Sequence, residues 1–190
     1  MKVRYVPVAI VFFSLLVLTG CKKDDPAPLE AEVKGKLLAG EKDASKNWRL
    51  LGVTVATASN PATALNYPAC FLDNVYTFFN NASQDYQSAD GAAKCFSTDT
   101  DPIEKGNWAF TLDGLIVNII VDETNSQWGL FSSEILIFGD EEGNITDIFT
   151  EGFPYPASVV NLTETNLTLE MNRVDLNKVK YKYTITFTAI

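Results

Sequence analysis

From Trp48 to the end of the chain, apolar and polar residues fall into short runs separated by Gly, Asn, Asp and Pro. The last run is the most regular: Tyr181, Tyr183, Ile185, Phe187 and Ala189 alternate with Lys182, Thr184, Thr186 and Thr188. A period of two places the first set on one face of a strand and the second on the other, so residues 180–190 read as a strand with one apolar and one wet face. The same reasoning predicts strands over 48–57, 74–79, 84–88, 105–112, 115–121, 134–138, 145–149, 157–162 and 166–171. Between the fourth and fifth, Asp113-Gly114 predicts a two-residue hairpin turn, because both residues tolerate positive φ. Asn80, Asn81 and Ala82 supply the turn before residue 84, and Thr163-Glu164-Thr165 the turn before residue 166. Ahead of the strands, Glu30 to Ala44 predicts a short helix with Val33, Leu37 and Leu38 on one stripe, weakened by Gly35 and Gly40. Roughly nine short strands at hairpin spacing describe an all-β, antiparallel up-and-down meander that closes into a barrel or sandwich. A terminal strand as regular as 180–190 needs an edge partner, and barrel closure provides one.

The first residues follow a different pattern. Lys2 and Arg4 precede the uncharged run Val6 to Leu18, and Leu18-Thr19-Gly20-Cys21 closes it with small residues before a cysteine. Such a segment is a secretory signal rather than a core helix. It resembles a bacterial lipoprotein signal, which implies cleavage before Cys21, lipidation of that residue, and a mature chain tethered to a membrane without spanning it. The Lys22-to-Pro28 stretch, charged and twice interrupted by proline, reads as a tether. It resembles the surface-export signal of Bacteroidetes lipoproteins, which implies an outer-membrane location at the cell surface, with the periplasmic face as the alternative. The chain then divides into a signal peptide (1–20), a lipidated N-terminus and tether (21–45) and a barrel domain (46–190).

Without residues 1–20 the chain keeps 13 basic residues against 24 acidic ones, a net charge of −11. That field repels phosphate groups and argues against nucleic acid binding and against adhesion to anionic lipid headgroups beyond the acyl anchor itself. Beyond Cys21, two cysteines remain, Cys70 and Cys95. In an oxidising compartment such a pair predicts a disulfide, stabilising by roughly 3 kcal/mol on the chain-entropy model. The alternative, a metal or redox pair, lacks both a C-x-x-C spacing and any histidine.

Several motifs occur in a fixed order: Lys46-Asn47-Trp48-Arg49-Leu50, then Pro68 to Phe78 with Cys95 downstream, then Gly106-Asn107-Trp108-Ala109-Phe110 before Asp113-Gly114, and finally Val159 to Leu169. Together they resemble the lipocalin-like lipoproteins of the Bacteroidetes over most of 48–190. The resemblance implies a small up-and-down barrel of about eight or nine strands with a disulfide near its mouth, binding a hydrophobic or amphipathic small molecule such as a lipid.

An eight-stranded barrel is wide enough to be filled by side chains or to hold one small ligand. Tyr76, Phe78, Trp108, Phe110, Ile116, Phe138, Phe149 and Tyr183 are the large candidates for its lining, with simple packing as the alternative for each. Trp128, Phe131, Phe153 and Tyr155 lie beside glycines and prolines in segments that read as loops, where rigid aromatics either stack on sugars or lipid chains at the mouth or fold over the barrel end as a plug. Asp99, Asp101 and Glu104, and likewise Asp140, Glu141 and Glu142, lack the spacing of a calcium loop and read as solvated turns. No metal or cofactor is expected. Without histidine, Ser-His-Asp and Cys-His sets are impossible, and no Ser-x-x-Lys, Gly-x-Ser-x-Gly or phosphate-binding loop is present. The expected function is therefore non-catalytic binding. The alternative is a filled barrel whose loops bind an envelope protein or a glycan.

Overall fold

A computed structural model of the chain describes residues 27–131, 155–174 and 178–190. The signal segment, Cys21, the strands predicted over 134–138 and 145–149, the acids 140–142 and the aromatics Phe138, Phe149 and Phe153 lie outside the described residues.

The chain enters through a helix, α1 (Glu30–Ala39), and then forms β1 (Ser45–Thr57), β2 (Thr63–Ala64), a one-turn helix α2 (Ala69–Leu72), β3 (Val75–Phe79) and β4 (Asp85–Ala89). It continues through β5 (Glu104–Phe110), β6 (Ile116–Val121), β7 (Tyr155–Leu162), β8 (Asn166–Val174) and β9 (Lys180–Ala189). Every neighbour in the order β1-β3-β4-β5-β6-β7-β8-β9 is antiparallel, and β9 returns to pair with β1 from Trp48↔Ala189 to Thr57↔Tyr181. The result is a closed antiparallel barrel of eight strands, with β2 as a short extra strand on the free side of β1 at Thr54 and Val55.

Closure requires β1 to serve two neighbours. Residues 45–49 pair with β3 on one edge, while β9 runs along the other edge from Trp48 to Thr57, with a bulge at Leu51 interrupting that ladder. The extra residue shifts the alternation: Trp48 and Leu50 point inward before the bulge, Val53 after it, and Leu51 is left exposed.

β6 pairs directly with β7 through Ile116↔Ser158. Two sequence expectations are corrected. Tyr155, read as a loop aromatic beside two prolines, opens β7 opposite Ile119. The turn at Asp113-Gly114 is not a two-residue turn. Gly114 alone has positive φ (66°), and its N–H donates to the Thr111 carbonyl, while Asp113 Oδ1 accepts from the Thr111 hydroxyl and the Leu115 N–H. α1 packs on the barrel through Leu38 and Ala39.

The two ends of the barrel differ. At one end, α1 lies across the opening, burying Leu38 and Ala39, and Trp48 Nε1–H donates to the Leu38 carbonyl at 2.8 Å. Gly35 packs over the Trp108 ring, at a distance where an added Cβ would make ordinary contact, 3.5 Å. Beneath α1 the interior is filled with Trp48, Phe78, Trp108, Leu167 and Phe187, and Phe78 and Trp108 meet edge to face at 6.3 Å. Gly106 is dictated by packing as well: a Cβ would fall 2.0 Å from the Ile120 carbonyl oxygen on β6. The other end carries α2, the long connections and the disulfide.

Candidate functional site

The loop end is organised by the Cys70–Cys95 disulfide, which ties α2 to the β4–β5 connection across 25 residues. On this staple sits an aromatic stack. Tyr67 and Phe71 are parallel with centroids 4.6 Å apart, Phe71 stacks on Trp128 at 5.6 Å, and Phe96 meets Trp128 edge to face at 5.7 Å. Together with Asn66, Pro68 and the two cysteines, these rings enclose a cleft of about 260 Å³ with almost wholly apolar walls. Two larger hollows, about 400 Å³ on the outer face of β4 and β5 and about 470 Å³ between α1 and β5, are more open and more polar. Enclosure and apolar walls, rather than volume, select the loop-end cleft as the candidate site.

Trp128 is fixed from two sides. Its Nε1–H donates to Asp99 Oδ1 at 2.9 Å, and its backbone N–H reaches the Ile103 carbonyl. Asp99 Oδ2 in turn accepts from the Phe96 N–H at 2.9 Å, so one buried carboxylate positions two of the cleft's aromatic residues.

Below the cleft the barrel interior turns polar. Register places Tyr76, Ser88 and Glu104 in one row across β3, β4 and β5, and all three are buried. Tyr86 Oη donates to Glu104 Oε2 at 2.5 Å, and the other oxygen of that carboxylate accepts the Phe131 N–H at 2.9 Å. Gly129 lies against the same group: a Cβ there would fall 2.1 Å from Glu104 Cδ. The segment carrying Trp128 and Phe131 is thus latched into the barrel through Glu104, and the Phe131 ring packs edge to face on Tyr86 at 5.6 Å.

Around this row stand Asn74 and Arg173, both buried, with Tyr183 and the Tyr67 hydroxyl. The amide nitrogen and oxygen of Asn74, the Ser88 hydroxyl and the Tyr67 hydroxyl are enclosed without a well-aligned hydrogen-bond partner. Such groups are costly in an apolar interior and mark places where a polar guest would be stabilised. Burial pushes the Tyr76 hydroxyl well above the usual tyrosine range, reinforced by the Glu104 carboxylate and Tyr67 and opposed by the neighbouring Asn74 amide. The Tyr86 hydroxyl rises for the same first reason, again with Glu104 adding to it. Tyr183 is pushed up to about 12, by burial first and then Tyr181, while Arg173 opposes. These tyrosines are neutral hydrogen-bonding groups at ordinary pH.

The sequence candidates are therefore distributed over two places. Tyr76, Phe78, Trp108 and Tyr183 point into the barrel and are buried, while Phe110 is half-buried beside Trp108. Trp128 and Phe131, placed at the mouth with two readings open, are buried as a plug, and Trp128 also walls the cleft. The acidic trio is corrected: Asp101 is exposed, but Asp99 and Glu104 are buried hydrogen-bond hubs rather than solvated turn residues. Among the described residues, no group of three or more His, Cys, Asp and Glu is arranged to hold a metal ion.

Tyr67, Phe71, Asn74 and Glu104 were missed as site residues. For Glu104 the signal was parity, since Glu104, Gly106 and Trp108 alternate on the face that buries Trp108.

No protein-family model and no curated protein matches the chain. Among solved structures, it is similar to bovine odorant binding protein in complex with a selenium-containing odorant, at 13% identity over 77% of this chain and 72% of that one, with a TM-score of 0.29. The same bovine protein in complex with undecanal matches at 12% identity over 77% and 70% of the two chains, also with a TM-score of 0.29. The closed barrel stands on the strand pairing of this chain itself.

Proposed function

We propose that this chain is an outer-membrane lipoprotein, anchored through Cys21, that binds a hydrophobic or amphipathic small molecule at the loop end of a lipocalin-like barrel without transforming it. The observation that carries this reading is the aromatic cleft over the disulfide, walled by Tyr67, Phe71, Phe96 and Trp128, with under-bonded polar groups in the barrel beneath it. Apolar walls take a hydrocarbon or ring, and the polar layer suits a neutral hydrogen-bonding head.

The test is native mass spectrometry of the protein purified from its own host, followed by titration with a fluorescent fatty-acid probe. A co-purifying lipid, or probe uptake weakened at least about tenfold by Trp128→Ala, supports the reading. A clean apo mass with no uptake rejects it. The second reading, a solid barrel that binds a protein or glycan partner through its loops, draws on the filled interior beneath α1 and on the buried Phe131 plug. Capture of a defined envelope protein or glycan by lipid-free protein, lost on Phe96→Ala, would favour it.

A further inference from the structure

Ten large apolar side chains among the described residues are exposed, and Leu51, Ile120, Phe96 and Val179 lie on the barrel wall or at the loop end. Leu29, Val33, Leu112, Leu115 and Val160 are all exposed, and all lie around the α1 end of the barrel. Their grouping follows from three contacts. A Cβ on Gly114 would come within 3.2 Å of the Glu30 carbonyl, Lys34 Nζ donates to the Gly114 carbonyl at 2.9 Å, and the Val159 N–H donates to the Leu115 carbonyl at 2.8 Å. The β5–β6 turn is thereby clamped between α1 and β7, presenting Leu112 and Leu115 beside Val33 and Val160. Asp113, at the tip between the two leucines, is exposed, and its Oδ1 accepts from the Thr111 hydroxyl and the Leu115 N–H. Leu112 is 75% exposed, which for a leucine on a rigid turn is a surface in search of a cover.

The chain enters the fold at this same patch. Cys21 lies eight residues before Leu29, a span of at most about 28 Å when fully extended. We propose that the α1 end is a membrane-docking face. In it, Leu29, Val33, Leu112 and Leu115 dip into the interface of the bilayer that holds the chain's own lipid anchor, so that the aromatic cleft at the opposite end faces away from that bilayer. This rests on the anchored reading given above. A few leucines at the interface add apolar burial to the acyl chains, as a second membrane signal does for singly anchored proteins.

The experiment uses the full chain matured in a bacterial host and reconstituted into vesicles of phosphatidylethanolamine with a minor share of phosphatidylglycerol. With Cys70 and Cys95 joined, an added cysteine is the single reactive thiol for an environment-sensitive fluorophore. Leu115→Cys, or Leu112→Cys as a second probe of the face, is compared with Asn60→Cys at the loop end. Quenching by spin-labelled phospholipids is expected to be several-fold stronger at 115 and 112 than at 60. Equal quenching at both ends in protein whose intact mass shows acylated Cys21 overturns the docking face and leaves the anchor standing. A mass without acyl chains overturns the anchor and the docking face with it. A label shielded at 115 but insensitive to the spin-labelled lipid assigns the patch to a second copy of the chain and also overturns the proposal.

Discussion

The two ends of this barrel are built from the same strands and have opposite chemistry. Under α1, inward positions carry Trp48, Phe78, Trp108, Leu167 and Phe187, and the polar atoms there pair locally: both indole N–H groups donate to backbone carbonyls, Leu38 for Trp48 and Phe79 for Trp108. At the loop end, inward positions carry Tyr76, Ser88, Glu104 and Arg173, and the Asn74 amide, the Ser88 hydroxyl and the Tyr67 hydroxyl there have no well-aligned partner. The first arrangement maximises stability and leaves nothing to recognise. The second gives up some stability and leaves hydrogen-bonding capacity facing the barrel interior, which is where a binding protein needs it.

Perturbing each end in turn tests this contrast. The largest effect belongs to the α1 end. Trp48→Ala removes a fully buried indole and its hydrogen bond and is expected to cost about 4 kcal/mol in denaturant unfolding. Next comes the staple. Cys70→Ser with Cys95→Ser opens a 25-residue loop, and the loss of about 3.5 kcal/mol expected from chain entropy should appear in the unfolding midpoint, together with weaker probe uptake. If removing the disulfide left uptake unchanged, the cleft would not be the site.

Gly129→Ala is a finer instrument. Its Cβ must displace the Glu104 carboxylate, which two hydrogen bonds hold in place, so the expected cost is about 2 kcal/mol. The loss should come with raised emission sensitivity of Trp128 to a soluble quencher, while Trp48 and Trp108 stay shielded.

The loop end also predicts an alkaline limit. The hydroxyls of Tyr76, Tyr86 and Tyr183 are held protonated in the folded state above their ordinary value. The unfolded chain therefore binds fewer protons once pH passes about 10, and stability declines from there upward. Each such tyrosine contributes a slope of about 1.4 kcal/mol per pH unit until its folded pKa is reached. For Tyr183 that window closes near about 12. Tyrosinate absorbance followed alongside circular dichroism should show ionisation and unfolding together; independent ionisation at pH 10 in folded protein would contradict the buried polar layer. The smallest effect is at the rim: Phe96→Ala, with an exposed ring, is expected to change stability by less than about 0.5 kcal/mol while lowering probe affinity.

Much of the barrel was legible because period-two alternation and turn residues are local. The strand over 180–190 is found at Lys180–Ala189, and the disulfide followed from compartment and cysteine count. The bulge at Leu51 was not legible, since nothing in Leu50-Leu51-Gly52 distinguishes a regular strand from a bulged one. The site was read less well for a related reason. Glu104 looks solvated beside Lys105, and only its parity with Trp108 reveals the inward face. Tyr67 and Phe71 acquire meaning from Trp128, more than fifty residues away, which no local pattern reports.

The pairing of β1 with β9 has a consequence for how the molecule comes into being. Trp48 meets Ala189, so the seam joins residues separated by nearly the whole of the folded chain. High contact order of this kind slows folding, because the entropy of the largest loop must be lost before the last ladder forms. During synthesis the N-terminal strand waits for the C-terminal one, and until that strand arrives the nascent sheet has two raw borders.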